Sequence, residues 1–501
     1  MNPLQFIKKA RWRKIAIGLV FLIVLLVTLL VFAGTWFSYQ GRREWAQTKV
    51  ELLKRGELLS FEGLAPAPVP PEKNFFADPI WEPNAEGQIS LFDPQISPGE
   101  AARLKAQFPG LADLVKEGNR RQLVQAVGKR ANDRSMTQEE AVFVLALLEP
   151  VQSTFDTIRR LGRRSEARFP VDYSRGVFMP MPHDWALFEA GLMLWRSAQA
   201  HDALGQTEQS LDEILLMLRL SRAVDDEPIM MSFFVATSID VLALSLIERQ
   251  LPTFSDRQTQ DIELALGQIN VLKKLTKVLR GERAIGNQFF DQSRQISAAE
   301  MAKNAKSITA DVWGEKLPGV AWDLVGVYRF MFLDEDQAFF NKTYQRLLDR
   351  LGEKPDMLQP SEVERLETDL EQEIQGADRY RHALTSLISP KLKTFLSMAA
   401  DEETKVRQAR IACAIQRYAL AEKALPSSLD QLVPKYLEHV PGDVISGGPM
   451  HYRSDGKEYV LWSVGWNDQD DGGEASPQEK IRWKKLDWVW KGRLPAVWKE
   501  L

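Results

Sequence analysis

The chain has 501 residues, 45% of them hydrophobic and 26% charged, with 64 Lys and Arg against 68 Asp and Glu for a net charge of −4. That length allows two or three domains with their own cores, and the balanced charge gives no bulk footprint for nucleic acid. The single cysteine, Cys413, excludes an intrachain disulfide and a cysteine-based zinc site.

The first element is a membrane anchor. Lys8, Lys9, Arg11, Arg13 and Lys14 precede 27 residues, 15–41, that carry no charge. About 20 apolar residues span the hydrocarbon core of a bilayer, whereas a signal-peptide core has about 7 to 15. Val31 and Ala33 sit where a signal peptidase would read them, so cleavage after Ala33 is the alternative. Five cations before the block outweigh Arg42 and Arg43 after it. The positive-inside rule then places residues 1–14 in the cytoplasm, 15–39 across the inner membrane, and the rest outside, with Trp36 and Tyr39 at the far interface.

Residues 40–96 read as a short charged helix followed by a proline-rich tether, with eight prolines between positions 62 and 98. Phe75, Phe76 and Trp81 form its aromatic middle, which is expected to dock on the domain it serves. Residues 97–400 read as a helical domain. Ser97 with Glu100, Thr137 with Glu140, Ser255 with Gln258, and Ser361 with Glu364 have the spacing of capping boxes. Leu187, Ala190, Gly191, Leu194 and Ala198 recur at helical spacing, and Leu211, Ile214, Leu215 and Leu218 do so after a short Gly-containing turn. This pair is similar to a tetratricopeptide-type hairpin, although no 34-residue period returns elsewhere. A third helix is expected from Pro228 to about Leu251.

No catalytic constellation is legible. The five histidines, His183, His201, His382, His439 and His451, never fall at i and i+4. Cys413 sits on an apolar helix as a packed, inert thiol. Glu282 and Arg283 read as an internal ion pair, and the aromatic run 316–332 as a core helix or the lining of a groove.

The last segment, 401–501, reads as a small α+β module. Ile411, Ala414, Ile415 and Tyr418 make a helix seam; "LPSSLDQLVPKYL" supplies a turn and a short helix; and "MHYRSDGKEYVLWSVG" is a hairpin around Ser454–Asp455–Gly456. An acidic, glycine-bearing loop "WNDQDDGG" follows. In the tail, "DWVW" alternates like a final strand, with an amphipathic membrane-surface segment as the alternative.

From Lys405 to Glu474 these elements resemble, in order, the C-terminal half of the type II secretion major pseudopilin. The whole layout is also similar to an uncharacterised family of single-pass, membrane-anchored bacterial proteins, from which no activity carries over. The prepilin peptidase site and membrane Glu of a pseudopilin are missing, so the resemblance does not imply filament assembly. It does imply a calcium loop, with Asn467, Asp468, Asp470, Asp471 and Glu474 as oxygen ligands. A solvated acidic turn is the competing explanation.

The expected fold is therefore mainly α: a transmembrane helix, a large extracytoplasmic helical domain and a pseudopilin-like module with a Trp-rich tail. The expected function is to present a scaffold to an envelope protein partner, with membrane as anchor and no nucleic acid. Two alternatives stay open, an accessory part of a type II secretion or pilus-like machine and a membrane-tethered enzyme with a dispersed active site.

Overall fold

The structure is a computed structural model that describes residues 3–92, 95–115, 119–130, 136–297, 299–301, 303, 325–375, 378–388, 392–474 and 486–495. The cationic side chains before residue 15, most of the run 316–332, and residues 480–485 and 496–501 of the tail lie outside the described part. The chain divides into two compact units: residues 1–60, 283–347 and 368–390, and residues 61–282, 348–367 and 391–501.

In the first unit, helix α1 runs unbroken over Pro3–Lys54, 52 residues or about 78 Å at 1.5 Å each. The apolar helix and the short charged helix expected after it are thus one element, and no proline interrupts the run. Three segments among the described residues are long and apolar enough to cross a membrane: Ala16–Lys54, Gln138–Leu161 and Met230–Thr253. The apolar windows of the second and third are 44% and 56% buried inside the fold, while that of the first is 0% buried. Only the first presents its apolar side chains all round to whatever surrounds it.

Past that window α1 shows a buried stripe of small residues, Gly34, Ser38, Gly41 and Thr48, ending at Leu52. Small side chains let a neighbouring backbone come close. A Cβ on Gly41 would lie 2.9 Å from the Glu335 amide nitrogen, and one on Gly34 3.1 Å from the Phe330 ring. The core beyond is aromatic, with Phe290, Phe340 and Tyr344 ring to ring at 5.7 and 4.7 Å.

The second unit begins with helices α2 (Pro98–Gln107), α3 (Arg120–Arg130), α4 (Gln138–Leu148) and α5 (Gln152–Leu161). Of the expected capping boxes, those at Thr137 and Ser255 are complete. Ser97 accepts from the Glu100 amide, but the Glu100 carboxylate turns away to Arg120 at 2.7 Å, a charged partner stronger than a backbone amide. Ser361 is not a cap, since its helix already starts at Pro360.

Helices α6 (Pro182–Ala203), α7 (Thr207–Arg222) and α8 (Met230–Gln250) follow as an up-down-up layer. Gly205, at φ 72°, closes the turn between the first two. The Ser210 hydroxyl lies 3.0 Å from Ala198 O and 2.7 Å from Gln250 Oε1, which ties the end of α6, the start of α7 and the end of α8 together. Helix α9 (Asp256–Leu266) and the start of α10 (Val271–Gln295) complete this half of the unit.

The 31-residue helix α16 (Leu392–Glu422) carries the rest; the intervening helices are α11 (Val325–Met331), α12 (Leu333–Glu353), α13 (Pro360–Glu373), α14 (Asp378–Arg381) and α15 (Ala383–Ile388). The boundary expected at 400/401 falls inside α16, where Leu396, Ala399, Ala400, Val406 and Ala409 are buried in one run. No linker exists there, because both halves of the helix bury against the same core. Gln416 donates to Phe254 O and Arg417 pairs with Glu263 at 2.9 Å, while Gln408 donates to Trp488 O. The antiparallel sheet has order β1 (His451–Ser454), β2 (Glu458–Ser463), β3 (Trp488–Arg493). The hairpin turn is as expected, and "DWVW" is a strand that buries Trp488 and Trp490.

Candidate functional site

The tether builds the first polar centre. Phe75, Phe76 and Trp81 are buried and pack ring to ring at 5.0 to 5.1 Å, so the expected docking occurs. Asn74 Oδ1 accepts from the Arg168 and Phe76 amides, and Arg164 donates to Asn74 O and Ala77 O. Phe76 then stands edge-on to His183, and Phe169 stacks on the same imidazole at 4.0 Å. Two aromatic rings thus pack against His183, which is buried.

His183 and Asp184 lie in the first turn of α6, and Glu227 on the turn after α7. His183 Nε2 is 2.9 and 3.0 Å from the two Glu227 oxygens and 3.7 Å from Asp184 Oδ1. Ser232 Oγ donates at 2.7 Å to Glu227 and lies 3.3 Å from Asp184 Oδ2. Asp184 Oδ1 has no hydrogen-bond partner. Burial pushes the Asp184 carboxyl up to about 7, against the pull of His183. Burial and the nearby Glu227 push the Tyr173 phenol up to about 12. Among the described residues, His183, Asp184 and Glu227 are the one set of three His, Cys or carboxylate donors whose ligand atoms lie within 4.8 Å of one another.

A second centre joins α7, α8, α10 and α16. Lys274 Nζ is 2.5 Å from Asp225, and Thr237 donates to Glu402 at 2.6 Å. Burial alone would lower the Lys274 ammonium, but Asp225, Asp240 and Glu402 outweigh it and raise it. Burial and the Asp240 charge hold Glu402 well above the usual carboxylate range. Asp225, pushed up by burial to about 6, also lines a surface groove of about 570 Å³.

That groove has tether residues 66–69 along one wall and Arg164, Arg168, Arg219, Arg222 and Lys277 around it, against Glu166, Asp225 and Asp226. Lys277 pairs with Asp226 at 2.7 Å. Arg219 is exposed and makes no ion pair among the described residues. The net character is cationic.

The acidic loop chosen from sequence has a different construction. Asp470 accepts from Trp462 Nε1 and the Gly472 amide, both at 2.9 Å, and Asn467 donates to Asp471 at 2.9 Å. The buried Asp487 carboxylate accepts from the Asp471 and Gly473 amides. Asp468, at φ 54°, and Glu474 point to solvent. The structure therefore brings Asn467 and Asp471 together through a hydrogen bond and holds Asp470 on the Trp462 indole, and among the described residues Asp468, Asp470, Asp471 and Glu474 belong to no set of three close donors.

Two further expectations resolve here. Cys413 is buried, and burial raises its thiol far above reactive values. Glu282 and Arg283 do not pair with each other, since successive helical residues point about 100° apart. Glu282 accepts from the Met230 amide at 2.8 Å, whereas Arg283 reaches Glu57 at 2.5 Å and Gln345 at 2.7 Å.

No family model, no curated protein and no solved structure matches this chain. The buried centres escaped the sequence reading because their members lie 44 and 165 residues apart. One signal was visible: Asp240 stands alone inside the apolar run "SIDVLALSLI", and a lone carboxylate there needs a partner.

Proposed function

We propose that this chain is a single-pass membrane protein that holds a helical interaction domain outside the cytoplasm and receives an acidic protein segment in the groove of its second unit. The observation that carries the reading is the groove itself, with five cations against three carboxylates and a wall made by the tether. Opposite charge steers and registers a partner more than it adds affinity, which suits a transient envelope contact. The anchoring half rests on the unburied apolar window of α1, and the orientation on the cations that precede it.

The enzyme reading has less support, because the His183 side chain is 0% exposed and no substrate reaches it. The secretion-accessory reading rests on the sequence resemblance, which expects a helix, turn and hairpin in the order that α16, the turn and the β1–β2 hairpin follow. That likeness extends to layout alone.

Two measurements test the proposal. A reporter active only outside the cytoplasm, fused after Leu501, is expected to be active, and activity of a cytoplasm-only reporter there overturns the orientation. Separately, the detergent-purified chain is expected to bind a glutamate-rich peptide with an affinity that falls as salt rises. Arg219→Glu should weaken that binding about tenfold, roughly the loss of one charge-assisted contact. Equal binding by the variant removes the groove from the function.

A further inference from the structure

We infer that His183, Asp184 and Glu227 form a binding site for one divalent transition-metal ion, with zinc the best match to the donors. The imidazole and two carboxylates are the ligand types that zinc takes, at about 2.0–2.2 Å each. Bonds of that length at tetrahedral to octahedral angles put neighbouring donors about 3.0–3.4 Å apart. Here His183 Nε2 stands 2.9 Å from Glu227 Oε1 and 3.7 Å from Asp184 Oδ1, each within a few tenths of an ångström of that spacing, and the three donors lie within 4.8 Å of one another.

Three features beyond the cluster itself point to a ligand. Asp184 is 3% exposed, and its Oδ1 faces His183 Nε2 with no donor to satisfy it. A buried carboxylate oxygen left without a donor costs free energy that a cation removes. Ser232 Oγ lies within hydrogen-bond distance of an oxygen of each carboxylate, as the groups behind metal ligands do. The Phe76 and Phe169 rings supply an apolar shell that excludes water and strengthens the ion's field.

To take the cation, Nε2 must be free of hydrogen, so a neutral His183 would carry its proton on Nδ1; a ring protonated on both nitrogens would release the Nε2 proton to solvent, as Asp184 would release any proton it holds. The ion would join the start of α6 to the turn after α7 directly beneath the docked tether.

The experiment uses the full chain, free of affinity tags, purified in detergent from cells supplied with zinc. Elemental analysis after desalting is expected to find one zinc per chain. After stripping with a chelator, cobalt should restore a visible absorption band characteristic of nitrogen and oxygen donors, and zinc should raise the melting temperature. His183→Gln and Glu227→Gln should each lose the zinc and the band. Asp468→Asn with Asp471→Asn, remote in sequence and on the surface loop, should keep both. Ser232→Ala retains every ligand, so it should bind zinc more weakly while folding normally by circular dichroism. If the native chain carries no more zinc than His183→Gln, or if cobalt gives no band, or if calcium alone binds, the inference is wrong.

Discussion

At the scale of single residues, burial raises several carboxyls of the second unit above their ordinary range. Glu282 is the cleanest case, because burial pushes it up to about 7 while its one hydrogen bond, from the Met230 amide, pulls the other way. Below pH 4.5 both folded and unfolded chains keep this proton. As pH rises from 4.5 towards 7 the unfolded chain releases it first, so the folded state loses stability across that window and levels off above it. Glu282→Gln keeps an oxygen for the Met230 amide and removes the ionisation. Its melting temperature is expected to match the parent near pH 4.5 and to exceed it at pH 8, by the equivalent of about 3 kcal/mol. An identical pH profile for the two proteins would show that Glu282 ionises freely. Asp487 predicts the opposite kind of loss. It accepts the Asp471 and Gly473 amides from a buried position, so Asp487→Ala should cost about 1–3 kcal/mol and leave the acidic loop open to proteolysis.

At the scale of elements, α1 has two parts that obey different rules. The apolar window tolerates any side chain of similar hydropathy, since nothing lies within 4 Å of a Cβ at Gly18. The stripe beginning at Gly34 does not, because a Cβ at Gly41 meets the backbone of Glu335 at 2.9 Å. Backbone cannot swing aside as a side chain can. Gly41→Ala is therefore expected to lower the melting temperature of the detergent-solubilised chain by the equivalent of about 1–3 kcal/mol, despite its better helix propensity. Gly18→Ala serves as the control and should be neutral or slightly stabilising. Equal melting temperatures for both variants would remove the close helix approach from the account.

At the scale of the whole molecule, the C-terminal segment belongs to the core of the second unit. Phe395, Glu402, Gln408, Gln416 and Arg417 of α16 contact side chains or backbone of α8, the turn after it, α9 and β3. A fragment of residues 401–501 keeps the sheet and leaves the buried Ile411, Ala412 and Ile415 without much of their cover. Expressed alone, it is expected to aggregate or to show little cooperative melting by circular dichroism. A sharp, reversible transition for that fragment would instead restore the independent module that the sequence suggests.

Periodicity and punctuation were enough to read the long apolar N-terminal helix, the helices α6 to α8, the boxes at Thr137 and Ser255, the hairpin at Gly456 and the strand "DWVW". Each is decided within about twenty residues, by the length of an apolar run, a cap or a turn, and neighbours in sequence supply the physics. The docking of Phe75, Phe76 and Trp81 was legible for a similar reason, since three aromatic residues in a proline-rich segment need an apolar surface. What the sequence alone left undecided is where polar side chains meet. His183 finds Glu227, Asp240 finds Glu402, and Glu282 turns from its neighbour Arg283 to the Met230 amide, because helix packing chooses their partners from elements distant in the chain. The acidic loop illustrates the same limit: its carboxylates are adjacent in sequence, and the fold sends them to separate donors. Local pattern determines the elements; only their packing determines which charges share a buried volume, because desolvation and pairing act through space and not along the chain.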